Sequence, residues 1–370
     1  MAKSKYSYWL LVGILIFVAY FFLAVRSVPV EMVLVPQWLS STESGYPLYL
    51  NGAPAPGGED TAGAEEDGVL LPFRLGNRFG YVDAYGRFSV NQEKKAALSI
   101  SADYWAEYEA VPREIDIRDP RNKQAALIPD GRGYPLFLDG RFFLINAEQN
   151  ALEALDVSGK SVWTYDFAAP ITDIDAAAGF ALAGLLDGTV ELLDRDGRRV
   201  FFFEPGGSRL SAIYACRMSR DGTKLAIVSG YDDQRFLFLE RLGDSYKVSY
   251  HEFVSDGFRR VVHLAFIDQD RRVVFEREGG IGVYDIGSRT STKIELDGRV
   301  NSLDGSGEDD LFFVITSQSE RRKALVGIRL PGEIVIEAPF ESGTAFLRRK
   351  ADRLYVGGGG TLASFRMERK

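Results

Sequence analysis

The chain has 370 residues, 46% hydrophobic and 26% charged, which is enough for one large domain or two of average size. Its 52 acidic and 44 basic residues give a formal charge of -8, and that argues against nonspecific nucleic-acid binding, which needs a basic footprint. The single cysteine, Cys216, excludes an internal disulfide and any cysteine-rich metal site.

Tyr6 to Val25 carries no charged residue. At a helical rise of about 1.5 Å per residue it spans roughly 30 Å, the thickness of a bilayer's hydrocarbon core. Lys3 and Lys5 precede it and only Arg26 follows closely, so the excess of positive charge places the N-terminus in the cytoplasm. Residues 1–27 are therefore expected to form a cytoplasmic stub and a transmembrane signal anchor. The remainder then lies in the periplasm or extracellular space. A cleaved signal peptide is the alternative, but Ala24-Val25-Arg26 offers no small-x-small cleavage site.

Residues 28–68 read as a flexible acidic linker. Val30 to Val35 could make one short strand, whereas Asn51 to Gly68 is rich in Pro, Gly, Ala and acid and has no apolar periodicity. The folded domain is expected over 69–370. Leu70 to Leu75, Phe79 to Val82 and Phe88 to Val90 have the strand pattern, with Arg78, Asp83 and Gly86 in turns. Ser99 to Tyr108 suits either strand or a short helix. Tyr134 to Leu138 and Phe142 to Asn146 then flank an Asp139-Gly140 turn.

The segment Ala154 to Trp163 organises the rest. A strand ends at Leu155, Asp156 to Gly159 form a tight turn, and a second strand opens with Val162 and Trp163. Similar apolar runs ending on a charged residue recur, with markers at Asp83, Asp116, Asp156, Asp194, Glu240, Asp285, Arg329 and Arg366. A period of about 40 residues built from short strands indicates an all-β fold, a β-propeller. About 300 residues divided by seven gives blades of about 43, and seven is favoured; eight markers would suit eight blades of about 38. The last strand, Leu362 to Phe365, needs a partner from the N-terminal side, either Val30 to Val35 or part of Leu70 to Val90.

Two motifs resemble known repeats. Ser219, Asp221, Gly222, Lys224, Leu225 and Ala226 are similar to the S-x-D-G-x-x-L-A signature of WD40-like bacterial propellers. Ala154, Leu155, Asp156, Gly159, Lys160 and Trp163 resemble the A-x-D-x-x-T-G-x-x-x-W motif of quinoprotein-like (PQQ-like) repeats, with Ser158 at the usual Thr. The resemblance extends over roughly residues 70 to 370 and implies the fold. It also raises a quinone-dependent dehydrogenase, but that activity often needs an adjacent cysteine pair, which one cysteine cannot supply.

No catalytic, cofactor-binding or metal-binding set emerges. His251 and His263 lie on different expected strands, Cys216 suits a small apolar filler on a central strand, and no G-x-S-x-G elbow occurs. Gly357 to Gly360 lacks a following Gly-Lys-Ser/Thr and reads as a turn. The turns between first and second strands and between third and fourth strands share one end of a propeller. That end collects Arg220, Arg271, Arg272, Arg348, Arg349 and Lys350 as a candidate interaction face, although neighbouring aspartates would partly cancel them.

The expected function is non-enzymatic and needs no cofactor. It is a membrane-anchored extracytoplasmic scaffold that binds a protein partner, in envelope assembly, with residues 6–25 in the membrane and no nucleic-acid partner. The alternative is a small-ligand or glycan sensor at the central channel, with Trp163 or Trp105 as stacking platforms.

Overall fold

A computed structural model describes residues 32–50 and 69–369, except 130–132, 209, 256 and 308. The expected membrane span, 6–25, lies outside the described residues, as do residues 51–68 of the expected linker. Among the described residues every regular element is a β-strand, and no helix is long and apolar enough to cross a membrane.

The strands form eight separate antiparallel sheets, each a meander of neighbouring strands. Blade 1 covers 71–93, blade 2 97–128, blade 3 133–166, blade 4 171–203, blade 5 213–255, blade 6 264–295 and blade 7 299–341. Blade 8 combines 345–369 with strands at Met32–Ser41 and Pro47–Tyr49. The first strands of neighbouring blades contact one another, so they surround the axis and the fourth strands lie outermost. The propeller thus has eight blades, not seven. Dividing the length by an average blade fails because blade 1 is short and blade 8 borrows strands from the far end of the chain.

That borrowing closes the ring. Met32–Ser41 pairs antiparallel with Thr361–Arg369, from Met32 opposite Arg369 to Ser41 opposite Thr361, with one bulge between Pro36 and Trp38. An outer edge on Thr361–Arg369 would otherwise present a row of unpaired backbone groups. Residues 32–50 therefore belong to the propeller, and the folded domain does not begin at Val69.

Turn chemistry explains the first four blades. Before the outermost strand, Asp83, Asp119, Asp156 and Asp194 each accept hydrogen bonds from the N–H groups two and four residues on, at 2.8 to 3.0 Å. The residue three after each aspartate has a left-handed backbone: Gly86 (φ 83°), Asn122 (φ 65°), Gly159 (φ 84°) and Gly197 (φ 76°). Blade 1 has only three described strands, and its Asp83 turn joins the last two. They correspond to the second, third and fourth strands elsewhere, so its Leu71–Leu75 strand takes the inner position and alternates buried with more open residues.

Candidate functional site

The meander order fixes two chemically different ends. Turns between first and second strands, and between third and fourth strands, emerge at one end, called here the turn end. Turns between second and third strands share the other with the links between blades.

At the turn end, blades are fastened across their seams. The Trp38 ring of blade 8 lies over Gly86 of blade 1, where an added Cβ would fall 2.8 Å from it, and its Nε1–H donates to the Ala84 carbonyl at 2.9 Å. Trp163 of blade 3 repeats this over Gly197 of blade 4 and donates to the Arg195 carbonyl at 2.8 Å. Trp105 is buried edge-on to Phe79, with ring centroids 5.2 Å apart, and donates to the Asp119 carbonyl. Neither Trp163 nor Trp105 is thus a free stacking platform; both are committed to packing.

The structure brings the six basic candidates to this end and engages all of them. Arg349 is buried, and its guanidinium grips both carboxylate oxygens of Asp309 in the preceding blade, at 2.6 and 2.8 Å. Arg348 reaches Asp304 at 3.6 Å. Arg220 approaches Asp270 of the next blade at 3.7 Å and donates its backbone N–H to the same carboxylate at 2.9 Å. Arg271 and Arg272 both pair with the buried Asp268, and Arg272 also meets Asp285 at 2.8 Å. Lys350 is not free either. Two cavities open here. One, of about 430 Å³, lies among Arg217, Arg220, Phe266 and Ser306; the other, of about 660 Å³, lies beside Asp309 and Arg349.

Asp221, in the blade 5 turn, accepts from the Ser219 hydroxyl at 2.6 Å and from the N–H and hydroxyl of Thr223 at 3.0 and 2.8 Å. Partial burial works against its charge, but these bonds prevail and hold the carboxyl well below the usual carboxylate range. On the inner strands, Asp173 binds Arg217 at 2.6 Å and the Cys216 N–H at 2.9 Å. Burial pushes the Asp175 carboxyl up, and Asp175 accepts from the Met218 N–H at 2.8 Å. Cys216 is fully buried on the inner strand of blade 5, which pushes its thiol well up. Gly357 and Gly358 end a strand, and Gly359 and Gly360 make the turn to the next. Among the described residues no group of three or more His, Cys, Asp or Glu side chains could hold a metal ion.

The opposite end holds a feature that sequence reasoning missed. A cavity of about 500 Å³ between blades 6, 7 and 8 is lined by His263, Arg299, Ser317, Glu320, Arg321 and Lys323. Burial holds the His263 imidazole below its ordinary value, and the Arg260, Arg299 and Arg217 charges add to this against Glu276. Lys323 is only 3% exposed, and its Nζ donates to the Glu320 carbonyl at 2.8 Å. The only hint in the sequence is the charged run Glu320 to Lys323. The strand register then turns Lys323 inward, opposite Ser317.

This chain belongs to a family described as beta-propeller protein, whose profile matches residues 1–369. A particular relative is a protein of Treponema pallidum (strain Nichols) described as uncharacterized, 28% identical over 319 residues, covering 86% of this chain and 83% of the relative. Among solved structures, BamB from Moraxella catarrhalis superposes with a TM-score of 0.57 at 13% identity, over 90% of this chain and 100% of that one. The computationally designed Ika8 protein gives 0.58 at 14% identity, over 81% and 96%. The dihydro-heme d1 dehydrogenase NirN gives 0.52 at 16% identity, over 69% and 58%. At these identities the structural likeness concerns the fold.

Proposed function

We propose that the chain is a membrane-anchored, extracytoplasmic scaffold that holds another protein, in envelope assembly. The observation that carries this reading is the outer rim of blades 3 to 5. Their outermost strands, Ser161–Asp166, Arg199–Phe203 and Ser245–Ser255, pair on one side only among the described residues. They expose Val162, Val200, Phe202, Val248 and Phe253 on consecutive blades. Open strand edges beside exposed apolar side chains suit the addition of an extended segment of a partner. The uncharged run 6–25 supports the anchor.

The test is crosslinking and affinity capture of the full-length protein from gently solubilised membranes, compared with Phe202→Glu/Phe253→Glu. Partner crosslinks that map to blades 3 to 5 and disappear in the double variant support the scaffold. An identical captured set from both proteins overturns it. A variant lacking residues 1–31, which spares the closing strand, tests the anchor: it should leave the membrane fraction while staying folded.

A further inference from the structure

We propose that the cavity between blades 6, 7 and 8 is a binding site for the phosphate group of a small soluble molecule. Three cations line it, Arg299, Arg321 and Lys323, with one carboxylate, Glu320. None of the three cations forms an ion pair among the described residues, in contrast to the five arginines among the candidates of the turn end. Two acids close to the lining are otherwise engaged: Asp297 accepts from the Gln318 amide at 2.7 Å, and Glu276 pairs with Arg260 at 2.9 Å.

Lys323 carries most of the argument. An ammonium offers three donors, and this one, almost fully buried, meets a single carbonyl. Burying a charge without a counter-ion is costly, so an anion in the cavity would supply what the protein leaves out. The hydroxyl of Ser317, directly opposite on the neighbouring strand, is also buried and has no hydrogen-bond partner. Cationic and hydroxyl donors thus line one cavity, with two arginines at its exposed rim whose planar forks match phosphate oxygens. Two net positive charges suit a dianion, and the volume is in the range of small-molecule sites.

The experiment titrates inorganic phosphate into the full-length protein in neutral detergent, near neutral pH, with chloride holding ionic strength constant. Heat of binding and thermal midpoint are both read. The wild-type protein should bind saturably and gain thermal stability. Arg299→Gln/Arg321→Gln alters only exposed side chains and should weaken binding by about tenfold or more. Lys323→Met should abolish the phosphate-dependent shift while keeping or raising the midpoint without phosphate, because an unpaired buried charge is replaced by an apolar chain of similar length. The proposal is overturned if the wild-type protein shows no saturable binding, or if the double variant binds phosphate as the wild type does.

Discussion

The two ends of this propeller carry similar kinds of charge and use them differently. At the turn end, arginines are spent on aspartates, often of the neighbouring blade, as in Arg349 with Asp309 and Arg220 with Asp270. Tryptophans lie over glycines of the next blade. At the opposite end, Arg299, Arg321 and Lys323 line a cavity without such partners among the described residues. A count of basic residues in turns is therefore not a count of uncompensated positive charge, because most of those arginines already have carboxylate partners.

If the turn end is where blades are fastened, substitutions there should cost far more than substitutions at the other end. The largest effect is expected for Trp38→Ala, which removes a buried ring from the closing seam; a loss of about 3–5 kcal/mol is expected in urea unfolding. Asp309→Ala should follow at about 3 kcal/mol, because it leaves the buried Arg349 guanidinium without its carboxylate, and a double cycle with Arg349→Met should recover part of the loss.

A pH profile sharpens the same contrast. The folded carboxyl of Asp221 is held below its unfolded value, so its stabilisation is fully present above the ordinary carboxylate range and is lost as pH falls through the folded value. The gap in thermal midpoint between wild type and Asp221→Asn should accordingly be widest near neutrality and shrink in acid. The smallest effect is expected at the other end: Arg299→Gln/Arg321→Gln should leave unfolding free energy within about 0.5 kcal/mol of wild type. A large loss there would erase the distinction between the ends.

Much of the fold was legible because the markers follow backbone necessity. Asp83, Asp116, Asp156, Asp194, Glu240, Asp285, Arg329 and Arg366 each fall in or directly after the third strand of one blade, counting Arg78–Val82 as the third strand of blade 1. Eight markers thus meant eight blades, and it was the averaging of length that pointed to seven. Blade 2 was obscure because Asn122 replaces the glycine that punctuates the equivalent turns. The closing strand was only half visible because Pro36 interrupts its pattern. Pro36 sits at the bulge, beyond the reach of the short Pro47–Tyr49 strand, where a missing N–H is tolerated.

The site was less legible. The sequence placed Arg220 and Arg349 in the correct turns, but their partners lie 50 and 40 residues away in neighbouring blades, a distance that only the ring brings together. Lys323 reads as one more charge in a solvated run, and only strand register shows it to be buried.

Ring closure also orders events in time. The segment that completes blade 8 is synthesised before the other seven blades, and its partner, Thr361–Arg369, only after them. While the chain is still on the ribosome, seven blades can form but the seam cannot, so Met32–Ser41 must wait with the edge that faces Thr361–Arg369 unmatched. Contacts of such long sequence separation form slowly. The growing chain is therefore most exposed to mispairing in the interval between the emergence of residue 41 and that of residue 369, and a chain that terminates early would keep that vulnerability for its lifetime.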